Sequence, residues 1–101
     1  KAEVAKDGSG QPGPGYDLFK AVKEQLGDLP IIAEDLGNID DKARKLLADC
    51  NYPGMKILQF GFEDVSGKSL DSPHYCIPHS IVYTGTHDND VTNGWYNGLT
   101  E

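Results

Sequence analysis

Three groups of acids stand at the ends of short apolar runs, and they are the residues here whose types could do chemistry. Glu34 and Asp35 follow Ile31-Ile32-Ala33, Glu63 and Asp64 follow the run over 55–60, and His87-Asp88-Asn89-Asp90 follow Ile81-Val82-Tyr83. An apolar run that terminates in two acids needs a reason, because buried carboxylates are costly unless paired. Glycoside chemistry supplies one: a carboxylic acid protonates the leaving oxygen, while carboxylates stabilise or attack an oxocarbenium-like centre. Acids after strands are also common turn and helix-capping residues, so spacing alone leaves both readings open.

These acids need elements to carry them. The opening stretch holds Gly8, Gly10, Gly13 and Gly15 with Pro12 and Pro14, which predicts a loop. Leu18, Phe19, Val22 and Leu26 recur at helical spacing, so a helix is expected over 17–26, closed by Gly27. Ile31-Ile32-Ala33 reads as a strand buried on both faces, as in parallel sheets. Asp40 caps a second helix, expected to run through about residue 49 with Ala43, Leu46 and Leu47 inward. A second strand over 55–60, a polar loop over 63–79, a third strand over 81–83 and a helix around Trp95, capped by Asp90, complete the chain. Strands alternating with helices imply an α/β fold with a parallel sheet. Three parallel strands are too few to close a barrel, so the expectation is part of something larger.

Composition narrows the function. The 101 residues suffice for a single segment of one domain, and 38% hydrophobic with 25% charged residues argues against disorder. Nine Lys and Arg against 16 Asp and Glu give a net charge of −7, which disfavours nucleic acid and anionic membrane surfaces as partners. No apolar run approaches the roughly 18–20 residues of a membrane span, and no signal peptide is read at the start. Cys50 and Cys76 lie in no metal-binding or disulfide-framework spacing and read as ordinary thiols. His74 and His79 read as surface loop residues and Asp40-Asp41 as a helix N-terminus. Trp95 is expected to pack its helix, and the glycine clusters make no phosphate loop, since no lysine follows at the required spacing.

The exact motifs carry more. Gly13-Pro14-Gly15 with Leu18-Phe19, then Ile31-Ile32-Ala33-Glu34-Asp35-Leu36-Gly37, then Pro53-Gly54-Met55-Lys56-Ile57-Leu58-Gln59-Phe60, then Tyr83-Thr84-Gly85-Thr86-His87-Asp88-Asn89-Asp90 with Gly94-Trp95 come in register. This series resembles the 4-alpha-glucanotransferase family (amylomaltases or disproportionating enzymes) of the alpha-amylase-like clan, from about residue 12 onward. The resemblance implies a partial (β/α)8 TIM barrel, with residues 1–101 as a portion of its C-terminal half, about three parallel strands with their helices. It implies retaining transfer of α-1,4-glucan segments between maltooligosaccharides, with no cofactor, and with the remainder of the barrel and the glucans as partners. Glu34 falls on the family's general acid/base, Asp88 on its transition-state stabiliser and His87 on its donor-sugar ligand. Phe60 falls on the acceptor side, with Asp35, Asp64 and Asn89 as further sugar-binding positions. A cytoplasmic location is inherited in the same way. Glu34 must be protonated for the first step, which calls for burial and neighbouring carboxylates.

One part has no counterpart. The family's nucleophile is an aspartate on another barrel strand inside an arginine-containing motif, and nothing before Gly13 resembles it; Asp7 sits among glycines. The 101 residues alone are therefore expected to be inactive. Two other readings stand beside the transferase: an amylase-type hydrolase, in which water resolves the intermediate, and a non-catalytic glucan-binding remnant.

Overall fold

A computed structural model describes residues 3–37, 39–63 and 66–99. Helix α1 (Tyr16–Leu26) starts after Gly15 and ends at Gly27, whose φ of 77° is a left-handed value that a glycine adopts without strain. Helix α2 (Asp41–Cys50) begins where expected: the Asp40 carboxylate accepts the Ala43 N–H at 2.8 Å, and left-handed Asn51 closes the far end. The two helices meet through Phe19 and Tyr52, whose rings pack edge to face at 5.6 Å.

The sheet is smaller than the sequence predicts. Strands β1 (Gly54–Ile57) and β2 (Ser80–Tyr83) pair in parallel, Gly54 opposite Ser80 through Ile57 opposite Tyr83. The expected strand at 31–33 does not form. Its chain does run beside β1, with the Ala33 N–H on the Pro53 carbonyl at 2.9 Å, but no ladder follows. The reason is competition: Met55 and Ile57, which would donate to a strand on that edge, donate instead to the side chains of Asp35 (2.7 Å) and Asp71 (3.1 Å).

The second strand also ends early. After Ile57 the chain turns into a 3₁₀ helix, Leu58–Phe62, so the expected run over 55–60 is strand for its first half only. Another short 3₁₀ turn, Pro73–Tyr75, breaks the polar loop before β2. Helix α3 (Thr92–Gly98) carries Trp95, which packs against Phe62 with ring centres 5.6 Å apart. Asp90 does not cap it. Its carboxylate accepts the N–H of Val91, one residue short of the helix, and Val91 precedes the first turn.

Ile57 is the fully buried hydrophobic side chain among the described residues, while Ile32 and Val82 remain about half exposed (47% and 50%). The radius of gyration is 16.7 Å, against about 13 Å for a compact domain of this length. The exposure of Val82 leaves one face of β2 open to solvent. Among the described residues, no helix is long and apolar enough to cross a membrane.

Candidate active site

The loop over 84–90, beyond the C-terminal end of β2, carries His87 and Asp88. Within it residues 86–89 form a β-turn, in which the Asn89 N–H donates to the Thr86 carbonyl at 3.1 Å. The Thr86 N–H and hydroxyl both donate to Asn89 Oδ1, at 2.8 and 2.9 Å, and the Asp88 N–H donates to Thr86 Oγ1 at 3.3 Å. Asn and Thr suit this position because their short polar side chains bond neighbouring backbone. Asn89 therefore braces the turn. His87 and Asp88 sit at its tip with side chains 89% and 80% exposed, and His87 Nε2 lies 3.2 Å from Asp88 Oδ1.

The loop is anchored from β1. Gln59 is 4% exposed, and its backbone N–H donates to the Thr84 carbonyl at 3.4 Å, one step past the last β1–β2 pair. Its side-chain Nε2 donates to the Asp90 carbonyl at 3.0 Å. Gly85 leaves room for that amide: a Cβ there would stand 2.7 Å from Gln59 Nε2. A buried amide without such partners would cost about 1–3 kcal/mol.

Glu34 and Asp35 sit on the stretch beside the start of β1, and they part company. Asp35 is half-buried and its carboxylate is held by the Met55 N–H. It packs so closely that a Cβ on Gly54 would meet its oxygens, the reason β1 begins with glycine. Glu34 is exposed, so the burial expected for it is not supplied by the described residues. It lines a cleft of about 190 Å³ with Phe19 and the α2 residues Ala43, Leu46 and Leu47. Asp35 also lines a second cleft, of about 130 Å³, together with Phe60, Lys56, Arg44 and Asp71.

The predicted residues thus fall into two groups. His87, Asp88 and Asn89 share one loop, and Asp35 and Phe60 share one cleft. Among the described residues no hydrogen bond or ion pair joins Glu34 to Asp88, and Asp64 lies outside the described residues. Sequence reasoning missed Gln59 and Asp71 as anchors. A polar residue in an apolar run was the visible signal for Gln59, but its partner stands 31 positions away. The thiols of Cys50 and Cys76 are free and half-buried, and His74 and His79 are exposed, each with Nε2 3.1 Å from a backbone carbonyl oxygen.

Comparison with known proteins sets this geometry in context. The family described as 4-alpha-glucanotransferase matches residues 1–101. A 4-alpha-glucanotransferase of Streptococcus pneumoniae is 52% identical over 95 residues, covering 94% of this chain and 19% of the relative. One from Synechocystis is 43% identical over 100 residues, covering 98% of this chain and 20% of the relative. Among solved structures, an amylomaltase from Streptococcus agalactiae in complex with acarbose superposes with a TM-score of 0.90 at 56% identity, covering 98% of this chain and 20% of that one. The chain spans about a fifth of the length of the relatives it matches.

Proposed function

The chain belongs to the 4-alpha-glucanotransferase family, and from that premise we propose that it forms the acid/base and stabiliser portion of an enzyme that moves α-1,4-glucan segments between maltooligosaccharides. The observation that carries this reading is the match of the whole chain to the family, with Asp88 on the loop beyond the C-terminal end of β2. In parallel α/β folds that edge is where ligands bind.

In the proposed mechanism, Glu34 as a carboxylic acid gives its proton to the glycosidic oxygen of the donor glucan as the bond to the anomeric carbon breaks. An aspartate outside these residues attacks that carbon and forms the glycosyl-enzyme. Asp88 stabilises the positive charge that develops on the ring, and His87, 3.2 Å from it, contacts the same sugar. Glu34, now a carboxylate, takes the proton of an acceptor's 4-hydroxyl, whose oxygen displaces the aspartate and restores the α-linkage. Phe60 borders the acceptor side, and Asp64 is a further sugar-binding position by the family motif. Asp35 and Asn89, each with an oxygen that accepts a backbone N–H, are further sugar-binding positions beside Glu34 and Asp88. The open faces at Ile32 and Val82 fit a partial (β/α)8 barrel whose remaining strands and helices cover them. The proposed location is cytoplasmic.

The test uses an enzyme of the relatives' length, made by setting this chain in place of the matching stretch of the Streptococcus pneumoniae relative. Incubated with maltotriose, a transferase redistributes chain lengths with no net gain of reducing ends. A steady gain of reducing ends would point to the hydrolase instead. Binding of maltooligosaccharides by the isolated 101 residues would favour the glucan-binding remnant, and chain redistribution by them would overturn their expected inactivity.

A further inference from the structure

We infer that Gln59 is a positioning residue for Asp88, and that the pair Gln59–Gly85 sets where the loop over 84–90 presents its acid. This rests on the reading of Asp88 given above and adds a residue to it. Gln59 reaches both ends of the loop: the backbone N–H meets Thr84 at its start and Nε2 meets Asp90 at its end. Between those two points the turn is internally closed by Thr86 and Asn89. The loop therefore moves as a unit, and its placement relative to β1 is decided by one buried amide. Gly85 is the other half of the device. A Cβ there would stand 2.7 Å from Nε2 and 3.2 Å from Cδ of Gln59, so the amide would have to shift from the place where it meets Asp90. By contrast, His87 and Asp88 are largely solvent-exposed, and among the described residues they are held by each other and by the turn.

The experiment measures maltotriose disproportionation by the grafted enzyme carrying Gln59→Leu, Gly85→Ala, Asp88→Asn, or Asp88→Asn with Gln59→Leu. A displacement of the stabiliser weakens the transition state more than the ground state, so kcat falls while KM holds. For Gln59→Leu and Gly85→Ala alike, the expected loss in kcat is about 10–100-fold with KM changed by less than about threefold, the scale on which small misplacements act. In the Asp88→Asn background, read over long incubations, Gln59→Leu is expected to cost less than about twofold more, because the group it positions is gone. Should Gln59→Leu fail to fold, Gly85→Ala carries the same kcat and KM readout. Losses that multiply in the double variant, or a crippling Asp88→Asn beside an intact Gln59→Leu and Gly85→Ala, overturn the role of Gln59. An Asp88→Asn enzyme that turns over normally overturns the reading of Asp88 instead.

Discussion

In the helical half of the molecule, each junction is closed by a neighbour in sequence. Asp40 caps Ala43, the Gly27 N–H returns to Lys23, Lys45 pairs with Asp49 at 2.6 Å, and Lys23 pairs with Asp28 at 2.9 Å. The strand tips are built the other way. Gln59 reaches Asp90 across 31 positions, Asp35 reaches Met55 across 20, and Asp71 reaches Ile57 across 14. Local bonds set where the helices begin and end; distant bonds between side chain and backbone set where the acids stand. Damage to the first group should therefore register as local stability alone, whereas damage to the second loosens the strand edges and reaches turnover as well.

The largest effect tests the tip region. Glu34→Gln in the grafted enzyme keeps shape and removes the transferable proton, so turnover should fall by about 10²–10⁴-fold, the range of general acid–base catalysis. Turnover near wild type would remove Glu34 from its role. The intermediate effect concerns Asp35. Asp35→Ala strips the acceptor from Met55, and hydrogen bonds to charged groups are worth about 1.5–3 kcal/mol. Hydrogen–deuterium exchange of the peptide over 53–58 should speed up by roughly 10–100-fold. Unchanged exchange there would show that the carboxylate does not hold this edge.

The helical half should answer more mildly. Asp40→Ala removes the α2 cap at a cost of about 1 kcal/mol, or roughly fivefold faster exchange at the start of that helix, with turnover unaffected. A loss of turnover instead would blur the division drawn between the two regions. The smallest effect lies at Cys50. Burial, and then the nearby Asp49, push its thiol above the ordinary range, so the reactive thiolate is scarcer at pH 8. Iodoacetamide should label it more slowly in the folded enzyme than in urea. The folded chain also holds that proton more tightly than the unfolded one, so this site loses stability as pH rises past the thiol's ordinary value. Cys50→Ala should flatten that decline.

The same division explains what could be read from residues alone. Helices α1 and α2 lie within a residue of their expected bounds, because caps and periodicity are contained in ten or so neighbouring positions. The parallel pairing of β1 and β2 was also legible, from the alternation of apolar runs with helical patterns along the chain. The run at 31–33 has the composition of a strand, yet the β1 N–H groups of Met55 and Ile57 that it would pair with go to the carboxylates of Asp35 and Asp71, and no periodicity announces a side chain that replaces a strand. Asp90 looked like a helix cap because acids precede helices often, but its carboxylate takes the N–H of Val91. For the site, the motifs identified Glu34 and Asp88 as the acids of interest. Gln59 stands in one of those motifs as a polar residue in an apolar run, yet its role appears only when Thr84, Gly85 and Asp90 surround it.

One glucose unit is expected to lie between the carboxyl groups of Glu34 and Asp88. A crystal structure of the grafted enzyme with acarbose bound tests it most directly. Both carboxyl groups are expected within hydrogen-bonding distance of the inhibitor, on either side of the same bond to be cleaved. Acarbose seated in a cleft that either residue does not reach would contradict it.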